Sequence, residues 1–171
     1  GSAEQFPAIL TPSSGCSGSK GLADFMTARS EEIEKSLLRH GAILFRGFDV
    51  HGASDLSDAA ASLGGVSMDY VGGVVPRGRI TDKVYNSTEM TRFVKIRLHN
   101  ELAYQKNYPD RLLFYCQQPS RSGGETFIAD VRRIYRALPR AIVRDFERRQ
   151  LRYVRNFRDA GSLRRRPKWY D

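Results

Sequence analysis

The chain carries a histidine and a carboxylate two residues apart, His99 and Glu101, within the segment LHNELAY at residues 98–104. Apolar Leu98 and Leu102 flank the pair, as in a short strand. Because the side chains of a strand alternate between its two faces, the imidazole and the carboxylate would point the same way. The pair is therefore either a polar, solvated edge, which is the common explanation of a single H-x-E, or part of a metal site.

A metal ion held by His99 and Glu101 requires at least one further ligand. Two histidines and one carboxylate form the facial triad of non-haem Fe(II) enzymes, which leaves coordination positions open. Zinc uses the same ligand types, so two residues do not decide between the metals. A glycine-rich turn, SGGET, begins 21 residues after Glu101 and introduces another predicted strand at Thr126. The two segments can therefore belong to one sheet.

The elements that precede this site mix helices and strands. Residues 1–22 are rich in Ser, Gly and Pro and predict an irregular N-terminal arm. SEEIEKSLLRHG at 30–41 predicts a helix, because Ser30 can cap its start and Gly41 can terminate it. AILFRGF at 42–48 predicts a strand, and ASDLSDAAASLGG at 53–65 predicts a second helix stopped by its glycines.

Strand candidates then follow at short spacing: VYNST (84–88), FVKIRLHNELAY (93–104), RLLFYCQQ (111–118) and GETFIAD (124–130). Serial strands with turns between them favour a sandwich, barrel or jelly roll over a parallel βαβ sheet. After Asp130 apolar residues recur every four positions from Ile134 to Phe146, which predicts a helix. Pro139 is expected to interrupt it and to begin a second segment as its first residue.

Charge is distributed unevenly along the chain, whose formal net charge is +9. Residues 1–130 contain 14 Lys and Arg against 15 Asp and Glu, whereas residues 131–171 contain 14 against four. This basic quarter indicates either a solvated face or an anionic partner. No apolar run is long enough to span a bilayer, so we expect no membrane association. Two cysteines do not make a disulfide framework, so the expected compartment is the reducing cytoplasm.

Four motifs occur in a fixed order: HGAILFRGF (40–48), YNSTE (85–89), HNELAY (99–104) and GGETFIAD (123–130). Together they resemble the TauD/TfdA-like, clavaminate synthase-like Fe(II)/2-oxoglutarate-dependent dioxygenases, and especially the syringomycin-type amino-acid hydroxylases. The resemblance extends from Pro7 to Phe157. It implies a mostly β fold with flanking helices, a double-stranded β-helix or jelly roll with the metal at its mouth, incomplete in this chain.

The resemblance also implies roles for individual residues. His99 and Glu101 match the two metal ligands of the family's first motif, and Thr126 matches the threonine that contacts a carboxylate of 2-oxoglutarate. The family's distal metal histidine and its 2-oxoglutarate-binding arginine lie well beyond Thr126, but no histidine follows Glu101 here. We therefore expect residues 1–171 to form a single dioxygenase domain truncated before that region, and inactive alone.

Strand alternation extends the predicted site to further polar residues. Arg97 and Lys95 would face the same cavity and bind an anionic substrate or cosubstrate, unless a bend before His99 sends both to solvent. Asn86 and Ser87 either line the mouth of the cavity or are ordinary turn residues.

The implied reaction is hydroxylation of an unactivated C–H bond of an amino acid or similar small molecule, with Fe(II) and 2-oxoglutarate as cofactors. Halogenating relatives carry a small residue where Glu101 stands, so hydroxylation is the expected outcome. Because syringomycin-type enzymes act on carrier-tethered amino acids, the basic quarter could bind an acidic carrier protein.

A cupin-like metal-binding or sensor module is the alternative interpretation of the same residues. Nucleic acid is disfavoured, because the basic tail lies where the family places a lid over the site.

Overall fold

The computed structural model describes residues 5–12, 21–71, 73, 77–87, 95–154 and 156. Its Cα positions divide the chain into two compact units, Gly1–Asp130 and Val131–Asp171. The division falls at Asp130, where the sequence changes both its apolar spacing and its charge. In chain order the elements are β1 (Ala8–Leu10), α1 (Gly21–Ala28), α2 (Ser30–His40), β2 (Ile43–Phe45), α3 (Ala53–Ser62), β3 (Arg79–Thr81), β4 (Val84–Tyr85), α4 (Val131–Ala137) and α5 (Arg140–Arg149).

The first sheet of the larger unit pairs β1 and β2 in parallel, with Ala8 opposite Ile43 and Leu10 opposite Phe45. The strand predicted within residues 42–48 is therefore confirmed. The irregular arm predicted for residues 1–22 is wrong at Ala8–Leu10, because these residues find backbone partners along β2. The Ser- and Gly-rich residues 13–20 of that arm lie outside the described residues.

The core of this unit lies between its three helices. Phe25 and Met26 of α1, Ile33 of α2 and Ala59 of α3 are buried together. Phe48, which follows β2, meets Phe25 edge to face with 5.0 Å between ring centroids. Burial of each large apolar side chain stabilises the fold by about 1.5–3 kcal/mol. Helix α1 was not predicted, because its eight residues are too few to show a repeated apolar spacing.

Helix α2 confirms the prediction for residues 30–41 and ends at Gly41, whose φ of 79° lies in the left-handed region. The cap prediction is wrong by one residue: Arg29 occupies the N-cap position and Ser30 is already helical. Helix α3 likewise confirms the second predicted helix, and Gly64 and Gly65 follow it with φ of 71° and 88°. Both helices end where glycine permits a left-handed turn.

The second sheet is a hairpin of β3 and β4 that pairs Arg79 with Tyr85 and Thr81 with Val84. The backbone N–H of Asn86 donates to the carbonyl oxygen of Gly78 at 2.8 Å and extends the pairing. The predicted strand at VYNST is thus confirmed at its first two residues.

Residues 95–130 contain no helix or strand, so the three strands predicted across this segment are absent from the described structure. Strand backbones need a neighbouring strand to accept their hydrogen bonds, and the sheets of the described residues contain only β1 to β4. Apolar side chains that would form a sheet face are exposed instead, among them Leu98, Phe114 and Phe127. The jelly roll itself stays a prediction.

Side chains attach this irregular segment to the helical core. Arg111 binds Glu34 of α2 at 2.7 Å and donates to the carbonyl oxygen of Leu63 at 3.2 Å. The hydroxyl of Tyr115 donates to the carbonyl oxygen of Val50 at 2.8 Å. The segment therefore keeps its course through a few long-range polar contacts rather than through a ladder.

The smaller unit contains α4 and α5, with the predicted interruption at Pro139. Pro139 occupies the N-cap position of α5 instead of its first residue. The hydroxyl of Tyr135 donates to Glu147 at 2.8 Å and joins the two helices. This bond to a carboxylate raises the pKa of Tyr135. None of the helices in the described ranges is both long and apolar enough to cross a bilayer.

Candidate active site

The H-x-E pair lies where the chain enters a turn, not within a strand. Residues 95–100 have no regular structure and residues 101–104 form a turn. Leu102 has a φ of 53° and is buried. A bulky residue in this left-handed conformation costs about 1–3 kcal/mol and persists only where its surroundings hold it. Leu102 is packed in the interior of the protein. This packing holds the backbone conformation next to Glu101 in place.

The two side chains nevertheless approach each other. Nε2 of His99 lies 3.8 Å from Oε2 of Glu101, with the imidazole 57% exposed and the carboxylate 13% exposed. On the opposite side of the ring, Nδ1 lies 2.8 Å from the backbone carbonyl oxygen of Arg97. A carbonyl oxygen only accepts hydrogen bonds, so Nδ1 is the donor here, and the tautomer with a single proton at Nδ1 has its lone pair at Nε2. That is the arrangement by which proteins orient a metal-binding histidine.

The donor pair fits a shared metal ion. Two donor atoms bonded to one ion at about 2.0–2.2 Å each lie about 3.0 Å apart at adjacent octahedral positions and about 3.4 Å apart in a tetrahedron. The 3.8 Å between Nε2 of His99 and Oε2 of Glu101 is a few tenths of an ångström longer, a difference that a small rotation of the exposed imidazole closes. Among the described residues, no group of three or more His, Cys, Asp or Glu is placed to hold a metal. His99 and Glu101 therefore fit two positions of a metal site that needs at least one further ligand.

A third side chain, which sequence reasoning missed, contacts the carboxylate. Nη2 of Arg77 donates to Oε2 of Glu101 at 3.0 Å, and the arginine is only 17% exposed. Its guanidinium lies over the ring of Tyr70, with Cζ 4.6 Å from the centroid. Arg77 belongs to the Gly- and Pro-rich loop YVGGVVPRGRI, 24 residues before Glu101, so no local spacing links them. Only the chemistry of Glu101 could have indicated such a partner, because a half-buried carboxylate needs a cation nearby.

A cavity of about 1060 Å³ opens beside this ion pair within the larger unit. Its walls include Glu101 and Arg77 together with Asn86, Ser87 and Thr126, all five as parts of one surface. The structure thus brings four of the seven predicted site residues to the same cavity.

The other three predicted residues are placed differently. Lys95, Arg97 and His99 are exposed and are not among the residues that line the cavity. Arg97 contributes its backbone carbonyl to His99. With no strand at residues 95–100, the alternation that would aim Lys95 and Arg97 inward does not apply. Their binding roles, like those of Asn86, Ser87 and Thr126, stay predictions.

One wall of the cavity carries a cluster of charged groups around Asp69. The carboxylate accepts hydrogen bonds from Nζ of Lys83 and from the hydroxyl of Tyr85, the latter at 3.0 Å. These bonds, together with the charges of Lys83 and Arg79, lower the pKa of Asp69. The bond to Asp69 in turn raises the pKa of Lys83. The cluster therefore keeps a cation and an anion paired beside the cavity.

Comparison with known proteins gives one family and two curated relatives. Residues 10–169 match the family described as taurine catabolism dioxygenase TauD, TfdA. A clavaminate synthase-like protein of Arabidopsis thaliana is 35% identical over 126 residues, which cover 71% of this chain and 38% of that protein. The dapdiamide synthesis protein DdaC of Enterobacter agglomerans is 35% identical over 125 residues, covering 73% and 38%. The chain thus spans well under half the length of either relative.

Proposed function

Because the chain belongs to the TauD/TfdA family of dioxygenases, we propose that it provides the His–Glu half of the metal site in an Fe(II)- and 2-oxoglutarate-dependent oxygenase. The observation that carries this proposal is the pair itself. His99 is oriented by a backbone carbonyl and presents Nε2 at 3.8 Å from a carboxylate oxygen of Glu101. Imidazole and carboxylate are the donor types of the Fe(II) facial triad.

Three residues of the chain have a defined task in this proposal. When bound, Fe(II) with 2-oxoglutarate and O₂ supplies the oxidation of an unactivated C–H bond, while the protein supplies binding and orientation. His99 and Glu101 hold the metal, and the hydroxyl of Thr126 donates to a carboxylate of 2-oxoglutarate. Because Glu101 would ligate the metal with its own oxygen, a halide would have no place at that position, and hydroxylation is the expected outcome.

The substrate in this proposal is an amino acid or a similar small molecule. A cavity of about 1060 Å³ slightly exceeds the range of about 300–1,000 Å³ found for small-molecule sites. It can hold a cosubstrate beside a substrate of amino-acid size. One relative is named for dapdiamide synthesis, which supports a small-molecule product. An acidic carrier protein that delivers a tethered amino acid is the finer form of the proposal.

The proposal is tested on full-length protein that supplies the further ligand, by titrating it with Fe(II) and then 2-oxoglutarate in the absence of oxygen. We expect the weak visible charge-transfer band that marks 2-oxoglutarate bound to iron. His99→Ala and Glu101→Ala should abolish the band. His51→Ala is the matched control, because His51 is an exposed loop histidine that pairs with Asp49, and it should retain the band.

The possible results of this titration distinguish the proposed oxygenase from its alternatives. Metal binding that depends on His99 but gives no band with 2-oxoglutarate would identify a cupin-like metal-binding module. Retention of the band in Glu101→Ala without added carboxylate or halide would show that Glu101 is not a ligand. If the protein binds no divalent metal at all, the proposed function is wrong.

A further inference from the structure

Glu101 accepts a hydrogen bond from a cation that is itself largely shielded from solvent. Oε2 of Glu101 accepts the hydrogen bond from Nη2 of Arg77 at 3.0 Å, and the two side chains are 13% and 17% exposed. In the part of the chain that the structure describes, Nε of Arg77 is buried and has no hydrogen-bond partner. A buried polar group without a partner is costly. Hydrogen bonding alone therefore does not explain where this guanidinium lies.

That position is set by the ring beneath it. The guanidinium lies 4.6 Å above the ring centroid of Tyr70, and Tyr70 packs at 6.0 Å against the ring of Tyr85 in β4. A Cβ atom at Gly73 would lie only 2.1 Å from the Tyr70 hydroxyl, so the absence of a side chain there leaves room for the ring. Gly73, Tyr70 and Arg77 thus form a continuous support that ends at the Glu101 carboxylate.

The identity of the cation follows from this geometry. A planar guanidinium stacks on an aromatic face while one of its nitrogens donates sideways to a carboxylate, whereas an ammonium is a point charge on a flexible stem. The contact between Arg77 and Glu101 is not bidentate. It joins one arginine nitrogen, Nη2, to Oε2, which is also the carboxylate oxygen nearest to His99. Arg77 therefore fixes where that oxygen lies, not merely its charge.

We propose that Arg77 is a positioning residue for Glu101: it holds the carboxylate beside Nε2 of His99 in the orientation that a shared metal ion requires. This inference rests on the proposed function, since it concerns the same metal site. Partners that orient metal ligands typically change metal affinity by about 10–100-fold when they are removed. Loss of Arg77 lets the carboxylate rotate toward the open cavity, so metal affinity falls even though a nearby positive charge is removed.

The test uses Arg77→Ala and Arg77→Lys in full-length protein that supplies the further ligand, with two readouts other than turnover. Mn(II) affinity is measured by titration calorimetry, and the ligand geometry is read from the visible absorption spectrum of bound Co(II). We expect Arg77→Ala to weaken Mn(II) binding by about 10–100-fold and to alter the Co(II) spectrum. Arg77→Lys should fold, because it keeps the charge beside Glu101, and should recover only part of the affinity.

Arg79→Ala is the matched control, since Arg79 lies two residues away and pairs with Asp69 and Asp82 instead of Glu101. It should leave both readouts unchanged. Wild-type or tighter Mn(II) binding with an unchanged Co(II) spectrum in Arg77→Lys and in folded Arg77→Ala would overturn the inference. If the protein instead binds no metal, or His99→Ala binds it normally, the proposed function fails first and the role of Arg77 fails with it.

Discussion

The orientation of His99 depends on a backbone carbonyl rather than on another side chain. The carbonyl oxygen of Arg97 fixes the imidazole through Nδ1, so no substitution at position 97 removes the contact while the backbone keeps its course. Glu101, by contrast, depends on the side chain of Arg77. The two candidate ligands therefore differ in how mutation can disturb them.

Thr126 offers a prediction at this scale. Its hydroxyl is expected to donate a charge-assisted hydrogen bond to a carboxylate of 2-oxoglutarate, worth about 1.5–3 kcal/mol. Thr126→Val removes the donor while nearly conserving shape, so KM for 2-oxoglutarate should rise by about 10- to 100-fold. Steady-state oxygen-consumption kinetics measure this change. Thr126→Ser keeps the hydroxyl and should stay close to wild type; an unchanged KM in the valine variant would assign Thr126 to the scaffold.

The pairing of His99 with Glu101 was predictable because the two residues are close in sequence, and the structure places the two side chains 3.8 Å apart. The route was different from the one expected, since a turn at a left-handed Leu102 replaces the strand. Arg77 could not be predicted in the same way. Its contact with Glu101 depends on the course of a loop, and neither periodicity nor capping rules describe a loop.

At the scale of elements, chain reversals follow glycine where the sequence predicted them. Gly41 ends α2 with φ of 79°, and its N–H donates to the carbonyl oxygen of Leu37 at 2.7 Å. Helices α2 and α3 were predictable because apolar spacing and terminating glycines are short-range signals. The strands predicted after residue 93 are not formed in residues 95–130, because a strand depends on a neighbour that the local sequence does not specify.

The left-handed conformation of Gly41 predicts the effect of an added methyl group. Gly41→Ala should lower the free energy of unfolding by about 1 kcal/mol, because an L-residue in this conformation brings Cβ too close to its own backbone. Chemical denaturation measures the change. Gly52→Ala is the control, since Gly52 has an extended φ of 179° and a Cβ atom added there would have no neighbour within 4 Å. Equal effects at both glycines would contradict the argument.

The Asp69 cluster joins the segment after α3 to the β3–β4 hairpin and predicts a pH dependence. Hydrogen bonds from Lys83 and Tyr85 hold the pKa of Asp69 below 3.8. A lowered folded-state pKa contributes stability above the unfolded value, and this contribution is lost as the pH falls through the folded value. Asp69→Asn should therefore lower the melting temperature at neutral pH, and the difference from wild type should vanish in acid.

Thermal unfolding followed by circular dichroism at several pH values provides this comparison. Asp58→Asn, which changes an exposed carboxylate of α3, is the matched control. A difference for Asp69→Asn that persists unchanged below its folded-state pKa would mean that the cluster contributes by packing and not by charge.

At the scale of the whole molecule, the boundary between the two compact units coincides with the start of the basic part of the sequence. The unit that carries the candidate active site ends at Asp130, and residues 131–171 hold 14 Lys and Arg against four Asp and Glu. Patches of one sign raise association rates with oppositely charged partners more than they raise final affinity. If an acidic carrier protein delivers the substrate, as in the finer form of the proposed function, exposed arginines of α4 and α5 such as Arg136 and Arg144 are where it would first dock.

Charge reversal at Arg136 and Arg144, both exposed on α4 and α5, tests this idea. Carrier docking predicts slower turnover of a tethered amino acid, with an on-rate that depends on ionic strength, and normal turnover of the free amino acid. Stopped-flow and steady-state kinetics on both substrates measure the two effects. Lys106→Glu is the control because it reverses an exposed charge in the other unit. Equal loss on both substrates, or no loss on either, would exclude docking.

The attachment of residues 95–130 by side chains has a consequence for hydrogen exchange. Amide protons exchange slowly when a ladder or helix must open first, and quickly where backbone groups lack such protection. Amides of residues 95–130 should therefore exchange before those of α2 and α3, although the segment carries both candidate ligands. A metal that binds only the native arrangement stabilises it by mass action. Saturation with Mn(II) should then slow amide exchange selectively around Glu101. The bound ion would in this way stabilise the segment that provides its ligands.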